Sequence, residues 1–472
     1  MIRTITRAMT LSTFAASLIL APVSGLSAQE RMPAPAADVI TLGEALDYAD
    51  SNYPAIKAAL NERLSAARQI DVARTAYLPQ INLLAQINRA TANNITGVLL
   101  PQSTLPAISG PVLPESGRSD WNSAAGVLAS WRVFDAGQRA ARVDAERQNA
   151  AAADADLNLT RLEVARATLG AYLNTLASSA LVAAAQANVD RLQTFSNAVH
   201  VLVANQLRPG VEAQQADAAL ALGQTRLISA QADLESQKAT LARLLGRSVD
   251  GLRLSSPAIP SVPDSLISPA QYAKDHPAAI AEQARVNRER ARLSAISRSY
   301  APSVDALASA YTRGSGRDAN GTYSGGTSGL TPNTSNWALG LQITLPLGSY
   351  PTIRAQEQAQ RASLGAERDR YDETLRLITE RQQQTRAALV AAIAIARITP
   401  AELQAAQTAE VQQRARFQSG LASAVDVTVA EAALAQAEAQ EAIAKLNVWR
   451  ALGDYAVAMG DLAPVRTALA DQ

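Results

Sequence analysis

The chain states one long pattern twice, and that duplication restricts its fold more than any other feature. Tyr53-Pro54-Ala55 returns as His276-Pro277-Ala278, and Tyr77-Leu78-Pro79 as Tyr300-Ala301-Pro302, both at an offset of 223 residues. Trp121 returns as Trp337 at 216, while Glu212, Leu220 and Gly246 return as Asp426, Leu434 and Gly460 at 214. A period this long marks two copies of one large supersecondary unit, so each reading of one copy can be checked on its twin. The copies span 29–250 and 268–462, joined by a linker at 251–267 and followed by a tail at 463–472.

Residues 1–28 carry the pattern of an export signal. Arg3 and Arg7 precede the apolar stretch Met9 to Ala21, and Leu26-Ser27-Ala28 offers a cleavage site after Ala28. Beyond it no run reaches about 18 uninterrupted apolar residues, so a helical membrane anchor is not expected. An exported chain of that kind is periplasmic, secreted or inserted as strands. The sequence has no cysteine, which removes disulfides, thiol chemistry and an N-terminal lipidated cysteine. Its 43 basic and 42 acidic residues leave a net charge of +1, with no field to draw in nucleic acid. The two histidines, His200 and His276, are too few and too far apart for a metal site or catalytic dyad, and no phosphate-binding loop is present. We therefore expect no enzyme, cofactor or metal, and read both histidines as structural or solvated.

Each copy opens with helices. Thr41-Leu42-Gly43-Glu44 has the form of a capping box, and Pro79 stops the helical pattern; in the twin Ser268-Pro269 starts it and Pro302 stops it. Alternation follows. Ile81, Leu83, Ala85 and Ile87 are apolar against Asn82, Gln86 and Asn88, with Leu84 the exception, and Val304, Ala306, Ala308 and Ala310 repeat this. The expected strands are about 78–94 and 119–134 in the first copy and about 303–312 and 336–347 in the second. Between them, Ala92 to Ser119 and Thr312 to Asn336 are long Pro-, Gly-, Ser- and Asn-rich linkers that fit the outer loops of a membrane barrel, and Trp121, Trp131 and Trp337 fit an interfacial aromatic belt. A water-soluble β-sandwich edge would show the same alternation. Four strands cannot close a pore alone, so a barrel requires an oligomer.

The period then turns helical for a long way. Leu162, Leu169 and Leu176 recur by sevens, as do Leu220, Leu227, Leu234 and Leu241 after the break at Pro209-Gly210. These are coiled-coil seams of antiparallel hairpins at 137–246 and 354–460, the second turning at Ser419-Gly420. Thr399-Pro400-Ala401-Glu402 inside the second outgoing stretch reads as a helix restart, which predicts a kink or interruption near Thr399 that the first copy lacks.

This layout of helix, strand pair and long helical hairpin, stated twice, resembles the TolC-like outer membrane efflux proteins over essentially the whole mature chain. Trp131-Arg132-Val133-Phe134-Asp135-Ala136-Gly137 resembles that family's strand-to-helix junction, and the stretch from Phe417 to Val427 its periplasmic hairpin tip. The resemblance implies an α+β membrane protein: a homotrimer whose twelve-stranded β-barrel, four strands from each chain, crosses the outer membrane and continues as a periplasmic α-helical barrel. It implies a passive exit duct that meets a periplasmic adaptor and an inner-membrane pump, in efflux or type I secretion. It places an acidic constriction on Glu212 and Asp426, with Phe417 and Arg208 as gate residues, and adaptor contacts on Leu207, Arg208, Gly420, Leu421 and Ser423. The sequence departs from the family where Phe417 replaces a tyrosine and where Arg208 stands in the first tip opposite Ala422 in the second. The competing expectation for Glu212 and Asp426 is that each acid favours a helix N-terminus. The competing function is a non-conducting coiled-coil scaffold anchored in the outer membrane.

Overall fold

The computed structural model describes residues 39–91, 119–249, 253–254, 273–316, 322–463 and 465. The export signal, the 92–118 linker, Ser268-Pro269 and most of the tail lie outside them. In chain order the elements are β1 (Val39–Ile40), α1 (Leu42–Asn52), α2 (Pro54–Thr75), β2 (Gln80–Thr91), β3 (Ser119–Phe134), α3 (Gln138–Ala204) and α4 (Gly210–Leu245). The linker carries β4 (Arg253–Leu254), and the second copy continues with α5 (Pro277–Ser297), β5 (Ser303–Ser315), β6 (Thr334–Thr344), α6 (Tyr350–Gln418) and α7 (Ala424–Met459).

The capping box at Thr41 is formed: the Glu44 amide donates to Thr41 Oγ1 at 3.2 Å, and the Thr41 amide to Glu44 Oε2 at 2.9 Å. At the start of α5, His276, the twin of Tyr53, serves as cap, its Nδ1 accepting from the Ala278 amide at 3.0 Å. The two long helices have 67 and 69 residues, which at 1.5 Å each is roughly 100 Å. Each is about twice the length of its return helix, so the remaining half needs other partners. The short helices supply them: α2 and α5 pack on α3, and α5 also on α6. Because α3 also packs on α7, the helices lie in the order α4, α3, α7, α6.

Of the kink or interruption expected near Thr399, the interruption does not occur; α6 is helical through Pro400. Proline removes the amide that would bond to the Ala396 carbonyl. Thr399 fills that place from the preceding position, its Oγ1 donating to Ala396 O at 3.5 Å, so it patches the helix instead of capping a new one. The Ala-rich parts of α3 and α6 reach a mean hydropathy of 1.2 and 1.3 over 18 residues, a membrane-like value that sequence reading did not anticipate. For α3 the seam accounts for part of it: Leu169, Tyr172 and Leu173 are buried against Leu241, Leu245 and Trp449, and Leu446, Leu452 and Tyr455 complete this central core beneath α1, whereas most of the α6 window is open on the single chain. Leu169 sits so close to Gly453 that a Cβ there would lie 2.4 Å from Leu169 Cδ2. Trp449 belongs to this core, not to the sheet.

The sheet is four-stranded, in the order β2-β3-β5-β6, and antiparallel throughout. Its register builds whole rows of one character. Leu83 lies beside Val127, Ala310 and Trp337, and Trp131 beside Ala306 and Leu341. On the opposite face Arg132 lies beside Asp305 and Gln342, with Arg132 Nε donating to Asp305 Oδ1 at 3.0 Å.

Candidate functional site

Two regions can do work in this chain: the sheet and the far ends of the hairpins. On the apolar face of the sheet Leu83 is 81% exposed and Leu339 and Leu341 are each 74% exposed, a cost no water-soluble sandwich would carry. Trp121 and Trp131 stand ten residues apart on this face of β3. At about 3.3 Å per residue and a tilt of about 40° they are separated by roughly 25 Å in height, the thickness of a barrel's apolar band. Trp121 carries the Arg89 guanidinium 5.5 Å from its ring, and Trp131 Nε1 donates to Tyr77 O at 2.9 Å. Trp337 shares the face at the level of Val127, between these two.

At the junction between β3 and α3, Asp135 gathers the turn. Its oxygens accept from the Gly137 and Arg139 amides at 3.1 and 2.9 Å and from Arg139 Nε at 2.7 Å. Burial raises the Asp135 pKa, but these donors outweigh it and the carboxyl is held below its ordinary value. Gly137, at φ +83°, then lets the chain enter the helix.

The hairpin tips are near-copies. Gln206 and Gly420 occupy twin left-handed positions, at φ +63° and +81°. Leu207 and Leu421 then donate back to Leu202 O at 2.9 Å and Arg416 O at 2.8 Å, closing both helices with one motif. That motif leaves both leucines pointing into solvent, 68% and 72% exposed. Gly420 is exposed beside Leu421, and Ser423 caps α7.

Arg208 is where the copies part. From the first tip it reaches into the second, donating through Nη1 to Ala422 O at 3.2 Å and through Nη2 to Phe417 O. Its guanidinium lies 4.4 Å from the centre of the Phe417 ring. Phe417 is 3% exposed and meets Phe195 edge-on at 5.2 Å, in an apolar cluster with Val199, Ala213, Ala216 and Val427. With no hydroxyl on Phe417, this tie runs through its carbonyl.

Glu212 and Asp426 behave differently despite their shared alignment. Glu212 is buried, 3.6 Å from Arg208, and its Oε2 has no hydrogen-bond partner. Asp426 is exposed and its Oδ2 accepts from the Ser423 amide at 2.8 Å and Ser423 Oγ at 2.7 Å, which holds its pKa below the ordinary value. In the single chain, then, Asp426 faces solvent while Glu212 balances the charge of Arg208 inside the tip. Sequence reasoning missed Glu431, a buried carboxylate above the second tip, and the half-buried Arg191 and Arg414 that pair with it. Their signal was available as charged residues at otherwise small, helix-packing positions.

The sequence matches the family of outer membrane efflux proteins over residues 45–247 and 270–460, one segment in each copy. The chain belongs to that family. No individually curated protein matches it. Among solved structures it resembles VceC from Vibrio cholerae, with TM-score 0.70, 20% identity and coverage of 89% of this chain and 96% of that one. The Campylobacter jejuni CmeC channel gives TM-score 0.73 at 16% identity, covering 89% of this chain and 85% of that one. The Neisseria gonorrhoeae MtrE channel, solved in its open state, gives 0.69 at 19% identity, covering 89% of each. The protein is thus an outer membrane efflux protein by family, and it shares the fold of these channels.

Proposed function

We propose that three copies assemble into a passive exit duct, the outer membrane part of a tripartite efflux or type I secretion system. The observation that carries this reading is the open sheet. Among the described residues its two outer strands, β2 and β6, each have an edge without a neighbour, and they run in opposite directions, so β6 of one chain can pair antiparallel with β2 of the next. Three repeats of four strands close an up-and-down barrel with the Leu83 face toward lipid and the Arg132–Asp305 face toward water. The helices support the same closure. Leu222 and Ile228 on α4, and Ile395 and Ile398 on α6, are exposed on the two outer helices, where neighbouring chains would meet.

The tips are then the periplasmic mouth. Arg208 ties the two hairpins of a chain together there, and the exposed Leu207 and Leu421, with Arg208, Gly420 and Ser423 beside them, offer alternating contacts to an adaptor that couples the duct to an inner-membrane pump. The polar face of the sheet favours a duct over an anchored scaffold, which has no use for Asn82, Gln86 and Gln342 in its interior.

Planar bilayers and mass measurement test this: the purified protein should be trimeric and conduct ions. A stable monomer without conductance would sink the proposal. Cation block applied from the periplasmic side should weaken in Asp426→Ala and change less in Glu212→Ala, because only Asp426 is exposed; equal effects would reject that assignment.

A further inference from the structure

Charged residues are sparse on the polar face of the sheet. Among the described strands they are Asp120 and Arg132 on β3 and Asp305 and Arg313 on β5. Two of them cancel locally, since Arg132 meets Asp305 at 3.0 Å near the helical end of the sheet. Arg313 stands eight residues further along β5. At about 3.3 Å per residue and a tilt of about 40° that is roughly 20 Å nearer the outer end. There Arg313 is half-buried, and its Nη1 is shut away from solvent with no hydrogen-bond partner. The other carboxylate does not answer it. Asp120 lies on the neighbouring strand, four residues beyond the register partner of Arg313, Ala124, and is itself 2% exposed. Among the described residues no ion pair joins the two.

The surroundings of Arg313 hold no further charge. Its row across the sheet is Gln86, Ala124, Arg313 and Thr334. In the next row toward the helices, Tyr311 stands across from Gly126, so closely that a Cβ there would lie 2.3 Å from Tyr311 Cβ. With alanine and glycine on β3, Arg313 and Tyr311 are the long side chains of this level. A guanidinium donor that is shut away without an acceptor is costly, and an oxyanion supplies what the chain itself does not.

We propose that Arg313, repeated three times in the trimer, forms an anion-binding girdle inside the outer part of the barrel and favours solutes that carry a carboxylate. The girdle rests on the reading of this face as the wall of the duct. Three guanidinium groups at one level, each without a carboxylate partner, raise the local concentration of anions. The planar fork of each can grip a carboxylate through two parallel hydrogen bonds, which chloride cannot match. Tyr311, one row away, adds an aromatic ring for the body of an organic anion and a hydroxyl for its polar edge. An outgoing solute therefore passes the neutral Arg132–Asp305 level first and meets positive charge only near the exit.

The sequence has no cysteine, so Thr334→Cys places one thiol per chain beside Arg313. Its reaction rates with an anionic and a cationic methanethiosulfonate are measured on the purified protein, and their quotient cancels the ionisation of the thiol itself. Adding Arg313→Gln should lower the anionic-to-cationic quotient roughly fivefold, the effect of removing one charge about 7 Å away in water. Arg313→Lys keeps the charge and should keep the quotient. Citrate should slow the anionic reagent more than sodium chloride of equal ionic strength does, and Arg313→Gln should abolish that difference. A quotient indifferent to Arg313→Gln or lost in Arg313→Lys overturns the girdle, as does citrate that acts no better than chloride. In planar bilayers Arg313→Gln should lower the chloride-to-potassium permeability ratio, and an unchanged ratio overturns it too. The thiol readout does not require conduction: protein that shows the charge and citrate effects yet never conducts would reject the duct and leave the anion site standing.

Discussion

Arg208 concentrates several functions of the tip in one side chain, because a guanidinium can donate in several directions while its flat face lies on an aromatic ring. It balances the buried Glu212, stacks on Phe417 and holds two carbonyls of the other hairpin. Arg208→Ala would strand the Glu212 carboxylate in an apolar cluster, and removing one partner of a buried pair costs on the order of 3 kcal/mol. We expect faster hydrogen exchange at the Gly420 and Leu421 amides and more frequent openings in bilayers. Glu212→Gln added to the first change should recover part of the loss by removing the stranded charge; exchange rates unaltered in Arg208→Ala would show that the tie carries no load. In the sequence Arg208 was visible as an exchange against its twin Ala422. Its grip was not, because backbone carbonyls accept from any donor in reach and leave no mark on residue identity. The burial of Glu212 was hidden for a related reason: alignment with the exposed Asp426 reports chain position, and only packing decides which acid faces water.

The helices and strands themselves were far more legible, since periodicity is a property of many residues and survives individual exceptions. β3 has the bounds its alternation predicted, 119–134, and the capping box at Thr41 formed as written in the sequence. At Pro400 the helix continues where its restart signal offered a break. A local restart signal competed with the packing of the whole of α6 against α5 and α7, and the longer-range interaction prevailed. Pro400→Ala would restore the amide bond to Ala396 O, and a proline in a helix interior costs roughly 3 kcal/mol. The variant should melt at a higher temperature; an unchanged or lower melting point would mean that the surrounding packing is matched to proline. At the start of α5, His276 is held neutral, with Nδ1 accepting from Ala278 and Nε2–H donating to Val457 O at 3.0 Å. Burial lowers its pKa, against the opposing pull of that carbonyl. The unfolded chain therefore takes up the proton first as pH falls below about 6.5. His276 contributes stability that is complete above that value and lost as pH falls toward its folded-state pKa. Denaturant titrations from pH 7.5 to about 5 should show this slope in the native protein and a shallower one in His276→Asn.

At the scale of the whole molecule, a single chain is an incomplete object: a sheet with two bare edges, one apolar face in solvent, and helices whose outer sides carry exposed leucines, isoleucines and valines. The duplication explains why that incompleteness can be resolved by symmetry. Each copy contributes two strands and one hairpin, so chains joined edge to edge continue a pattern already present inside each of them. This much was readable from alternation alone, but the register was not, and the register is what places Leu83 at the level of Val127 and Trp337, midway between the two tryptophans of β3. Its neighbour Asn82 lies on the other face beside Leu128 and Ser309. A pair of adjacent substitutions therefore separates lipid from lumen. Leu83→Arg would put a charge at the middle of the apolar band, where arginine costs about 2 to 4 kcal/mol, while Asn82→Arg would put it in water. We expect assembled trimer in outer membrane fractions to fall sharply for Leu83→Arg and to be nearly unchanged for Asn82→Arg, whose effect should instead be a shift of the channel's ion preference toward anions. Equal assembly of the two variants would mean that the exposed apolar face does not meet lipid, and the barrel would have to be closed with the opposite face outward.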